Sequence, residues 1–156
     1  MVYDNFLSAL RAQDLAGRMA VELQPAFAIS TKVWNFDLAT HPDLRDRAAK
    51  DAIEADMIII SVSAGDDLSS GATSWMQNWL PQKRGGLAAL VALLSEPSAN
   101  SSGPPPVATS LRQMAETGGM EFLYHTANLR EDCFKYALET MSRHGVGSRV
   151  ATGGTP

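Results

Sequence analysis

The chain has 156 residues, 45% of them hydrophobic, and a formal net charge of −4. That is long enough for one domain with its own core and too apolar for a disordered chain. The acidic balance argues against a general nucleic-acid binder, which needs a concentrated basic face, and no stretch approaches the roughly 20 apolar residues of a membrane-spanning helix.

The N-terminus has no basic start followed by an apolar core, and Asp4 comes almost at once, so it does not read as a signal peptide. Cys133, the one cysteine, cannot form an internal disulfide, and no zinc-type cluster accompanies it. A soluble cytoplasmic protein is expected. Met1-Val2-Tyr3 reads as the end of a strand. Asp4 or Asn5 then caps an amphipathic helix over residues 6–23, carried by Phe6, Leu7, Leu10, Leu15, Met19 and Leu23 and ended by Gln24-Pro25. A strand is predicted from Phe27 to Phe36, with Phe27, Ile29 and Val33 on one face and Trp34 and Phe36 on the other; Ser30 and Lys32 suit a sheet edge. The next helix starts at Thr40 or Asp43 and carries a stripe of Leu44, Ala48, Ala52 and Ile53.

Met57-Ile58-Ile59-Ile60-Ser61-Val62 follows. A short β-branched run bounded by turn residues (Ser63-Ala64-Gly65-Asp66-Asp67) marks a strand buried on both faces, the centre of a parallel sheet. Ser69 or Ser70 caps a helix with Ala72, Trp75, Met76, Trp79 and Leu80 on one side, stopped by Pro81. After the turn 83–86, the second apolar run, Leu87 to Leu94, is read as a strand for its length and flanking glycines, although its leucines and alanines also suit a helix. Ser95 to Pro106 is a small-residue and proline loop, expected to be mobile. Then come a helix from Val107 to Thr117, a short strand from Met120 to Tyr124, and a last helix from Leu129 to His144. One domain over 1–144 is expected, with a frayed tail over 145–156.

Alternating strands and helices predict a three-layer α/β/α domain with a five-stranded parallel sheet, and right-handed crossovers make 2-1-3-4-5 the leading order. The first strand belongs near the middle of that sheet, yet only three residues precede Asp4. Either the strand is stunted or the natural protein begins upstream.

This order and spacing resemble the flavodoxin-like superfold, and within it the response-regulator receiver domain, over residues 1–144. Tyr3-Asp4-Asn5-Phe6 looks like the place where receivers keep a metal-binding acidic pair, here reduced to Asp4 beside Asn5. Ser61-Val62-Ser63 stands where the phosphoacceptor aspartate belongs, the neighbourhood of His125 replaces the lysine, and Ser95 keeps the hydroxyl type. The resemblance therefore implies a degenerate receiver that does not take phosphate in the usual way. The segment 54–80 is also similar to the third strand, loop and following helix of flavodoxins. At the flavin-phosphate loop, however, this chain has Asp4-Asn5-Phe6-Leu7-Ser8, where Asp4 would repel phosphate.

In this layout Asp4, Asn5, Asp37, Ser61, Ser63, Asp66, Asp67, Ser95, Glu96, His125 and Thr126 converge on the crevice at the strands' carboxyl ends. Such carboxylates suit a hard cation, Asp4 being the metal candidate, but Asp4 and Asp66 serve equally as helix or turn caps. Ser61, Ser63 and His125 raise serine hydrolysis, without the G-x-S-x-G elbow that would expose the nucleophile. His41 and His144 sit at helix ends and read as surface residues. The glycines form neither a G-x-G-x-x-G fingerprint nor a Walker loop. Trp75 and Trp79 share a helical face, for core packing or for a partner. Cys133 reads as a buried small hydrophobe.

The reading as a whole is a non-catalytic, receiver-like regulatory or interaction module, dimeric through a helical face and without cofactor. The alternative is a flavodoxin-like protein or enzyme binding a flavin, nucleotide or other small molecule with crevice residues Asp4, Asn5, Ser61, Ser63, Asp66, Ser95 and His125.

Overall fold

The computed structural model describes residues 1–65, 67–83, 87–95 and 102–126. Two apolar runs form its centre. β3 (Met57–Val62) and β4 (Ala89–Leu94) pair in parallel over their full length, from Met57 opposite Ala89 to Val62 opposite Leu94. All of β4, and β3 from Ile58 onward, is buried, because the sheet has a helical layer on each side. Side-chain alternation divides them: Ile58, Ile60, Leu90, Ala92 and Leu94 enter the larger core, and Ile59, Val91 and Leu93 enter a second one.

The second core is closed by α1 (Phe6–Leu23), through Ala12, Leu15, Met19 and Leu23. The larger core is closed by α3 (Arg45–Glu54), α4 (Ser70–Trp79) and α5 (Pro106–Thr117), with the one-turn α2 (Phe36–Ala39) at its margin. β1 (Val2–Tyr3), β2 (Trp34–Asn35) and β5 (Glu121–Thr126) complete a sheet in the order 2-1-3-4-5, with every pairing parallel. The fold is flavodoxin-like.

The predicted element boundaries of α1, β3 and α4 hold, and Ser69 Oγ accepts from Ala72 N at 3.1 Å as the N-cap of α4. The first strand is two residues long, Val2–Tyr3. Trp75 and Trp79 belong to the larger core, packed edge-on with ring centroids 5.5 Å apart. α5 begins one residue early because Pro106 is at home in a helix's first turn.

Other expectations are corrected. The strand over 27–36 shrinks to Trp34–Asn35, since β1 offers only Val2 and Tyr3 as ladder partners. Residues 28–33 therefore run exposed, alternation notwithstanding. Phe36 turns into α2, where Asn35 Oδ1 accepts from Asp37 N at 2.7 Å. Thr40 closes α2 instead of opening α3, which starts at Arg45. The last strand is shifted to Glu121–Thr126. In α1, Phe6, Leu7 and Leu10 do not join the inward stripe; Ser8, Ala9 and Ala12 take that face. The predicted helix over 129–144, Cys133 and the tail over 145–156 lie outside the described residues.

Candidate functional site

The carboxyl ends of β1, β3 and β4 meet at the loop Ser63-Ala64, and four of the predicted polar residues, Asp4, Asn5, Ser63 and Ser95, gather there. Asp4 Oδ2 accepts from Ser63 N at 3.0 Å. Asn5 serves twice: its Oδ1 accepts from Ser8 N at 3.0 Å, capping α1, and its Nδ2 donates to Ser63 Oγ at 3.1 Å. From the other side Ser95 Oγ accepts from Ala64 N at 2.7 Å, while Ser95 N extends the ladder to Val62 O. Asp4, Asn5 and Ser95 thus latch the turn after β3 to its two neighbours. Farther along, Asp67 Oδ2 accepts from Ser110 Oγ of α5 at 2.9 Å. Asp37 is exposed at the start of α2. Asp66 and Glu96 lie outside the described residues. No group of three His, Cys, Asp or Glu among the described residues is placed to hold a metal ion.

Ser61 and His125 are not a pair. Register places Tyr3, Ser61, Leu93 and His125 in one row across the sheet. Leu93 stands between the two, so their backbones are two strand spacings, about 10 Å, apart. Ser61 is fully buried on the α1 side, and its hydroxyl has no hydrogen-bond partner. A serine sealed under a helix, two strands from the imidazole, is not activated by His125.

Beside Ser61 is a residue that the sequence did not single out. Arg11 reaches from α1 along the strand ends, its Nη2 donating to Ser8 Oγ at 2.9 Å and to Val62 O at 3.4 Å, with Nε buried and unsatisfied. Among charged residues on α1 it is the inward one, at one helical turn from the small Ser8, and that spacing was its signal.

A cavity of about 400 Å³ lies elsewhere, beneath residues 27–32 at the amino ends of β1 and β3. It is bounded by the carboxyl halves of α1 and α3 and is the reverse end of the sheet from the latched turn. Trp34 donates from Nε1 to Asp51 Oδ2 at 2.9 Å in its wall. The terminal amine of Met1 is there too, donating to Lys32 O at 2.6 Å. Burial pulls the pKa of this amine down to about 6, against the upward pull of the Asp51 carboxylate. Nothing local in the sequence marks this cavity, because it depends on where a chain segment fails to pair.

No protein-family model matches the chain, and no curated protein matches it in sequence. Among solved structures, the Trp repressor binding protein from Bacillus subtilis is similar, with a TM-score of 0.47 and 11% identity over 96% of this chain and 97% of that one. Strand order and register carry the fold assignment. No helix among the described residues is long and apolar enough to cross a membrane.

Proposed function

We propose that this chain is a non-catalytic, receiver-like interaction module that docks through the first two turns of α1 onto a second copy of itself. One observation carries the reading: Phe6, Leu7 and Leu10 are 74%, 66% and 46% exposed. Separations of three and four residues join them into one apolar patch on the helix surface. Contiguous apolar surface of this kind marks an interaction site more often than isolated exposed leucines do. A twofold axis lets one such patch serve both partners. The polar groups near it support the same reading, for Asp4, Asn5 and Ser95 are spent on holding the turn after β3. Serines at 61 and 63 stand where a receiver would carry its phosphoacceptor.

Sedimentation velocity tests this. The wild-type protein is expected to sediment as a dimer and the double variant Phe6→Asp/Leu10→Asp as a monomer with unchanged circular dichroism. A monomeric wild type, or a double variant that stays dimeric, overturns the proposal.

A further inference from the structure

The cavity beneath residues 27–32 is independent of the α1 patch. It exists because β2 is two residues long, so the preceding segment spans the sheet margin without entering the ladder. Small side chains keep it open: Ala16 from α1, Ala48 and Ala52 from α3, and Ala55 just beyond. In a close-packed interior, larger residues would fill such space. Its walls are Met19, Leu23, Phe27, Met57 and Ile59, with the rings of Trp34 and Trp75. Its volume falls in the range of small-molecule sites, which pair apolar walls with a few placed polar groups.

The charges in the lining are uneven. Three acidic residues, Asp51, Glu54 and Asp56, line it against one lysine, Lys32. The Met1 amine adds little opposing charge at neutral pH, since burial holds it mostly deprotonated above pH 7. Asp51 is the best placed of the three. Trp34 Nε1 donates to its Oδ2, which fixes the carboxylate in the cavity lining and uses only one of its two oxygens in that bond. Glu54 leans outward toward Lys50, at 3.9 Å. Aromatic rings beside a carboxylate favour a cation that carries apolar bulk.

We propose that this cavity binds an organic cation, an ammonium group on an apolar chain or ring, with the ammonium at Asp51 and the apolar body against Met19, Leu23 and Phe27. The site is at the amino ends of the strands, the opposite end from the crevice where open α/β sheets usually take ligands.

Dansylcadaverine, an environment-sensitive fluorophore on an alkylammonium chain, is a direct probe, and dansylglycine is its carboxylate counterpart. Titration of the full chain with dansylcadaverine is expected to give a saturable blue shift in emission, with dansylglycine binding at least tenfold more weakly. Asp51→Asn keeps an acceptor for Trp34 but removes the charge, and should weaken dansylcadaverine at least tenfold. Ala28→Trp, which places a ring on an exposed wall of the cavity, should abolish the shift. Equal affinity for both dyes, an unchanged dissociation constant in Asp51→Asn, or no saturable binding to the wild type overturns the proposal. If Asp51→Asn melts early, Ala28→Trp decides: a folded variant that still binds refutes the site.

Discussion

Lys83 follows the short 3-10 turn Leu80–Gln82 and is only 9% exposed. Its Nζ donates to the carbonyls of Ala52, Ile53 and Ala55, at 3.1, 3.0 and 2.5 Å. These belong to the last turn and cap of α3, where carbonyls run out of regular helical partners (Ala52 O accepts the cap N–H of Ala55, at 3.3 Å) and the helix dipole is negative. A lysine from a distant part of the chain therefore caps α3 and ties it to the segment after α4. Lys83→Met keeps most of the aliphatic length and removes the charge. Hydrogen bonds from a charged donor are worth roughly 1.5–3 kcal/mol each, so three would total about 4.5–9 kcal/mol. The ammonium's own desolvation, several kcal/mol, offsets much of this. The expected net loss is about 2–4 kcal/mol, or a fall in Tm of roughly 4–16 °C for a chain of this size. Urea unfolding followed by the fluorescence of Trp75 and Trp79 measures it, with an unchanged m value showing that the same surface is exposed. A loss below about 0.5 kcal/mol would mean that water or a backbone shift satisfies those carbonyls equally well, and the capping argument would fail.

The buried, unpartnered hydroxyl of Ser61 makes the opposite forecast. Ser61→Ala should be neutral or stabilising by up to about 1–2 kcal/mol, because an unsatisfied group is removed; a clear loss in the same urea assay would reveal a partner for Oγ. Asn5→Ala removes both the α1 cap and the donor to Ser63, and should cost about 1–2 kcal/mol by thermal melt, with a cost under a few tenths counting against the latch. The Met1 amine sets a pH dependence. Its usual pKa of 8.0 falls to about 6 in the folded chain, so between these values the unfolded chain holds the extra proton. Stability should therefore drop as pH falls from 8 to 6, by about 1–2 kcal/mol once partial exposure is allowed for, and this amine should contribute no further change below that. Urea midpoints across this window, with N-terminally acetylated protein as the flat control, provide the measurement.

Much of the fold was legible because its strongest signals are local. β3 and β4 are apolar runs of strand length, and α1 lies between a good cap at Asn5 and the break at Gln24-Pro25. The strand over 27–36 misled because Phe27, Ile29 and Val33 fall on one face and Trp34 and Phe36 on the other as in a strand, while strand status also requires a partner, and β1 offers two residues. Phe6, Leu7 and Leu10 match helical spacing, but the inward phase of α1 is set farther along by Ala12, Leu15 and Met19. At the candidate site the gathering of Asp4, Asn5, Ser63 and Ser95 followed from the fold's general rule, whereas their mutual hydrogen bonds did not. The Lys83 cap and the cavity join residues roughly thirty or more apart, and no local pattern encodes such contacts.

The unequal ladders have a consequence for amide exchange. β3, β4 and β5 are knitted over six residues each, whereas β1 and β2 meet over two. Local opening draws its free energy from the contacts it breaks, so amides at the β1–β2 margin should exchange through small fluctuations, while those of β3 and β4 wait for global unfolding. The cavity is built into that loosely stitched margin. A ligand seated there would hold Met1, Trp34 and Asp51 together, supplying from outside the cohesion that two paired residues provide only in part.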